Sequence, residues 1–135
     1  PHTLSLQNFY YYFNGKDVGD KPDHPMPIAF HASALIDTDL HSLWESRHGF
    51  PTLYPAGWHF SYLGGVDRIK EKLEAYSHVE NDTPAIKDSL EDNIAAGRDI
   101  FSRPDHKFEY VKIDDSFPKY LVDNQDKYKE LIHEA

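Results

Sequence analysis

Gly57-Trp58-His59-Phe60-Ser61-Tyr62-Leu63-Gly64-Gly65 is the stretch on which the fold reading turns. Trp58, Phe60 and Tyr62 alternate with His59 and Ser61, the two-residue period of a half-buried strand. The alternation stops at the glycine pair and a helical period takes over. Val66, Ile69, Leu73 and Tyr76 then form one apolar stripe. Lys70 and Glu74 fall one turn apart on the wet side of that helix, spaced for an ion pair.

Working upstream, Leu4 to Phe13 reads as a strand. Its unbroken run Phe9-Tyr10-Tyr11-Tyr12-Phe13 implies burial on both faces. Asn14-Gly15 turns the chain, and Lys16 to Pro27, with Pro22, Pro25 and Pro27, reads as a loop. Ile28 to Ile36 reads as another strand, and Leu40, Leu43 and Trp44 predict a short helix from Asp39 to Arg47. Downstream, Thr83 is a candidate N-cap with Pro84 at the first helical position. Ile86, Leu90 and Ile94 form the stripe, and Gly97 is the stop. Phe108 to Ile113 predicts a strand, Asp114-Asp115 and Pro118 a turn, and Asn124 to His133 a last helix with Tyr128, Leu131 and Ile132 inward. The expectation is a mixed α and β fold, one domain over residues 1–135. It has too few strands for a complete nucleotide-binding α/β sheet.

Composition narrows the function classes. The 135 residues suit one domain, and 39% hydrophobic with 14% aromatic content supplies a core. A net charge of -9 without any cluster of Lys and Arg repels nucleic acid and anionic membranes. Cysteine is absent, so neither disulfides nor thiolate metal sites contribute. No apolar run reaches membrane-spanning length and no signal peptide is visible. A start at Pro1 reads as an excised domain.

Several groups can carry chemistry. His59 offers an imidazole for proton transfer or metal ligation, Trp58 a flat apolar face for a sugar ring, and Ser61 a hydroxyl. The same spacing also suits a core Trp beside a hydrogen-bonded His. Gly64 and Gly65 open a helix whose unpaired N–H groups can hold phosphate, and they equally suit an ordinary turn. Asp37-Thr38-Asp39 has the D-x-D spacing of metal-diphosphate sites, although a helix cap from Asp37 or Thr38 uses the same residues. His78 and Glu80, after the end of that helix, can orient a substrate hydroxyl, or His78 can simply complement the helix dipole.

Taken in order, these segments resemble glycosyltransferase family 17, the β-1,4-mannosyl-glycoprotein β-1,4-N-acetylglucosaminyltransferases. Gly57 to Gly65 resembles its G-W-H-x-S signature. Tyr76-Ser77-His78-Val79-Glu80-Asn81 and Gly97-Arg98-Asp99 follow in register. Phe117-Pro118-Lys119-Tyr120-Leu121-Val122-Asp123-Asn124 is similar to its closing P-K-Y-L-x-x-N motif. The similarity runs from Pro55 to Ile132. Phe60 and Leu63 stand where animal relatives carry cysteines, which implies the bacterial branch and a cytoplasmic location, with the Golgi membrane the expectation for a eukaryotic source.

The resemblance implies the C-terminal half of a GT-A-like transferase. Such an enzyme moves N-acetylglucosamine from UDP-GlcNAc to a mannosyl or related glycan acceptor, with inversion. His59 would be the base or a late metal ligand, and Trp58, Ser61, Gly64, Gly65, His78 and Glu80 the substrate-binding set. A divalent cation, Mn or Mg, would be held mainly by an N-terminal half that this chain lacks, and no other metal ligand is assigned here. The alternative is a non-catalytic carbohydrate-binding module.

Overall fold

A computed structural model describes residues 1–134. The strands are β1 (His2–Leu4), β2 (Leu6–Tyr10), β3 (Gly15–Asp17), β4 (Asp23–His24), β5 (Ile28–Ala29), β6 (Thr52–Leu53), β7 (Trp58–Ser61) and β8 (Phe108–Tyr110). The α-helices are α1 (Leu40–Glu45), α2 (Gly65–Ala75), α3 (Pro84–Asp88), α4 (Leu90–Ala95) and α5 (Lys119–Asp123), joined in places by 3₁₀ turns. The fold is thus mixed α and β. It divides into two compact units: Pro1–Gln7 with Asp23–His59, and Asn8–Pro22 with the chain from Phe60 onward.

In the first unit β1 is the central strand, antiparallel to β5 and parallel to β6. β4 runs antiparallel to the opening of β2, with Leu6 opposite His24. Helix α1 starts where Asp39 accepts the Ser42 N–H at 2.8 Å and the Ser42 hydroxyl at 2.9 Å. The cap is therefore Asp39, rather than the expected Asp37 or Thr38. Two shared bonds hold its carboxyl below the usual carboxylate range. The strand expected over Ile28 to Ile36 stops at Ala29. From Ala32 the chain winds into a 3₁₀ turn, begun by the His31 ring accepting the Ser33 N–H. Small residues there (Ala32, Ser33, Ala34) have no branched side chain to hold an extended backbone.

The second unit grows around the aromatic run. The strand predicted over Leu4 to Phe13 is interrupted at Ser5 and ends at Tyr10, because Tyr11 takes a left-handed φ of 71°. That turn distributes the run between two cores. Phe9 and Phe13 pack with Phe60, Ile113, Phe117 and Leu121. Tyr10, Tyr11 and Tyr12 pack with Tyr62, Ile69, Leu73, Leu90 and Phe108. Asn14 fixes the bend from inside: its amide donates to the carbonyls of Val111 and His133, and its oxygen accepts the His133 N–H, each at 2.8 Å. β3 then pairs with the end of β2 and with β8. Residues Lys16 to Pro27, expected as loop, therefore carry β3 and β4. Prolines at 22, 25 and 27 leave room only for these two short strands.

Helix α2 forms as its stripe requires, with Ile69 and Leu73 fully buried. Glu74, expected to pair with Lys70, instead meets Lys87 at 2.9 Å. The single helix expected after Thr83 is two, α3 and α4. The Thr83 cap and Pro84 stand as read. At Ser89 the hydroxyl bonds the carbonyls of Ala85 and Ile86 and the helix breaks. Gly97 ends α4 at φ 63°, where an added Cβ would lie 2.0 Å from the Phe108 carbonyl oxygen. The turn expected at Pro118 opens α5, and the last helix is a 3₁₀ segment over Gln125–Leu131, irregular at Tyr128.

Candidate functional site

The segment from Gly57 to Gly65 is conformationally costly. Gly57, Tyr62, Gly64 and Gly65 all have positive φ, at 147°, 54°, 96° and 82°. Glycine meets three of these demands without a Cβ penalty. Tyr62 carries one, and a bulky residue there stores strain of about 1–3 kcal/mol. Tyr62 is held by burial, its ring 5.0 Å from Tyr10 and 5.8 Å from Phe101. That burial pushes its phenol pKa up.

Trp58 lies at the start of β7, 39% exposed. His59 is half-buried, and its imidazole stacks on His24 with centroids 3.9 Å apart and planes 7° off parallel. Ser61 is buried, and its hydroxyl accepts a 2.7 Å bond from Lys72. The Lys72 ammonium also sits 3.9 Å over the Tyr62 ring. Loss of surrounding water lowers the Lys72 pKa.

Gly64, Arg68 and Lys72 recur at one-turn spacing along α2 and line an open cleft of about 540 Å³ with Leu63, Glu71 and Leu131. No side chain caps the start of α2, so its first N–H groups keep their donor capacity. Arg68 pairs with Glu71 at 2.9 Å, an exposed contact that a stronger anion can displace. The cleft therefore offers two cations and a helix start in a chain of net charge -9.

His78 and Glu80 bond each other at 2.9 Å, both exposed, beyond the far end of α2. The eleven residues of α2 span about 16 Å. Gly64 and the His78–Glu80 pair thus cannot contact one small group; an extended ligand alone reaches both. The acidic pairs are engaged locally. Asp39 caps α1, and Asp114 accepts the Ser116 N–H and hydroxyl.

One constellation escaped the sequence reading. Asp17, in the segment read as loop, meets His106, 89 positions away, at 2.6 Å. Nothing local marks such a pair. Arg68 and Lys72 were legible in principle, at four and eight residues beyond Gly64 on a helix that the sequence did predict.

Among the described residues no group of three or more His, Asp or Glu can hold a metal ion. No helix among them is long and apolar enough to cross a membrane. The chain matches no protein-family model, no curated protein and no solved structure.

Proposed function

We propose that this chain is the acceptor-side part of an inverting, GT-A-like N-acetylglucosaminyltransferase that uses UDP-GlcNAc and a mannosyl or related glycan. The observation that carries the reading is the cationic cleft of Gly64, Arg68 and Lys72. Resemblance of Gly57 to Gly65 to the family signature supports the same assignment.

In this reading the family resemblance assigns the acceptor sugar to Trp58 and the proton of the attacking hydroxyl to the His59 imidazole. The oxygen bonds to the anomeric carbon as the carbon–oxygen bond to the diphosphate breaks, and configuration inverts. Charge gathering on the departing diphosphate is met by Arg68, by Lys72 and by the first N–H groups of α2. Ser61 holds the Lys72 ammonium in place. His78 and Glu80 contact the outer part of an extended glycan. A divalent cation would add Lewis-acid neutralisation of the diphosphate, from ligands outside this set of residues.

Calorimetric titration with UDP-GlcNAc tests the reading. Binding to the wild-type chain that weakens about tenfold in Lys72→Ala, the loss of one charge-assisted bond, is expected. Absence of binding, or affinity unchanged in Lys72→Ala and Arg68→Ala, would overturn it.

A second reading, a carbohydrate-binding module without catalysis, is favoured by Trp44, Tyr54 and Trp58, all exposed in the first unit. It predicts glycan binding indifferent to UDP-GlcNAc and Mn²⁺.

A further inference from the structure

The second unit contains a carboxylate–imidazole pair that the reading above does not use. The Asp17 side chain is 0% exposed. Its Oδ1 accepts the Gly19 N–H at 3.0 Å and the Lys107 N–H at 3.3 Å. Its Oδ2 accepts the Asn8 amide at 3.2 Å and His106 Nδ1 at 2.6 Å. Asp17 fixes the imidazole: a carboxylate oxygen only accepts, so Nδ1 carries a hydrogen and points inward. This is how a buried carboxylate orients a histidine for proton transfer.

The surroundings of Nε2 define what it can receive. Asp105 Oδ1 lies 3.9 Å away, and Lys21 Nζ reaches Asp105 Oδ2 at 3.4 Å. The His106 side chain is 15% exposed and Lys21 77%. The Phe108 ring runs parallel to the imidazole, planes 4° apart and centroids 6.5 Å apart. Two groups 3.9 Å apart that can each accept a hydrogen, with an ammonium on the second, can each take one hydroxyl of a neighbouring pair on a sugar ring. A phosphate is disfavoured, because Asp105 repels it. The position is rigid, because Gly19 packs so closely that an added Cβ would lie 2.2 Å from the Asp105 carbonyl oxygen.

We propose that Asp17 and His106 form a second carbohydrate-hydroxyl site, in which Nε2 accepts the hydrogen of one hydroxyl of a vicinal diol and Asp105 that of its neighbour. Nδ1–H stays bonded to Asp17, which is a positioning residue. The charged groups facing the ring are Asp17, Asp105 and, through Asp105, Lys21.

The competing arrangement is a doubly protonated ring bridging Asp17 and Asp105, a purely structural tie. Imidazole ¹⁵N NMR on the intact chain at pH 8, with methyl α-mannopyranoside as diol probe and 1,3-propanediol as control, separates them. The expected result is a neutral ring protonated at Nδ1, with an Nε2 resonance that moves saturably with the mannoside and not with the control. Asp105→Asn should weaken the response several-fold. His106→Gln, read at the Lys107 amide, should abolish it and leaves the buried carboxylate an amide donor. An imidazolium, an Nε2–H ring, or an Nε2 indifferent to mannoside overturns the proposal. UDP-GlcNAc failing to bind while this response persists would remove the transferase reading alone; the reverse would remove this inference alone.

Discussion

The two units use apolar residues in opposite ways. The second seals Tyr10, Tyr11, Ile69, Leu73, Leu90, Ile100 and Phe108 into one cluster and Phe9, Ile113, Phe117 and Leu121 into another. The first buries only Thr3, Ser5 and Leu43, while Ile36, Leu40, Leu53 and Tyr54 stay exposed with Trp44 and Trp58. One unit draws its stability from burial. The other relies on short backbone ladders around β1 and leaves much of its aromatic surface exposed. The lesson is that a similar supply of apolar residues can build a scaffold or a contact surface, depending on whether the local backbone lets them converge.

Truncations should expose that contrast most strongly. Leu73→Ala removes a fully buried side chain and should cost about 3 kcal/mol in urea unfolding. Ile36→Ala, at a residue 82% exposed, should change stability by less than about 0.5 kcal/mol. Comparable losses at both positions would break the contrast.

Gly97→Ala should come next, at about 2 kcal/mol. The new Cβ would meet the Phe108 carbonyl oxygen and force an unfavourable left-handed alanine. Gly49→Ala, in the first unit, meets nothing within 4 Å and should be nearly silent by the same denaturation measurement.

A smaller effect separates the units in alkali. Burial pushes the Tyr110 phenol up to about 12 from its ordinary 10, and it donates to the Ile94 carbonyl. A raised folded-state pKa contributes stability below pH 10 that is lost as pH climbs toward 12, because the unfolded chain releases its proton first. Burial raises Tyr10, Tyr11 and Tyr62 in the same direction. Tyrosinate absorbance and circular dichroism recorded together should show ionisation of these phenols coinciding with unfolding of the second unit. Full ionisation with the fold intact would contradict the burial account.

What the sequence made legible follows from the range over which each signal acts. Helix α2 and the Thr83–Pro84 start were readable because a stripe and a cap are complete within one or two turns. Strand β7 was readable from its alternation. The aromatic run revealed its two-sided burial, yet not the left-handed turn at Tyr11, which depends on Asn14 reaching Val111 and His133. The break at Ser89 depends on one hydroxyl choosing backbone carbonyls over solvent. In the site, Trp58, His59, Ser61 and the glycine pair were read from a contiguous motif. Lys72 acquires its place only through Ser61 and Tyr62, and Asp17 with His106 only through the pairing of β3 with β8.

The most direct test of the functional account is amide and indole NMR mapping of two ligands on the same chain. UDP should move the resonances of Gly64, Gly65, Arg68 and Lys72, and a mannosyl oligosaccharide should move the Trp58 indole. Shifts from UDP that bypass the start of α2, with a Trp58 indole that ignores the saccharide, would contradict it.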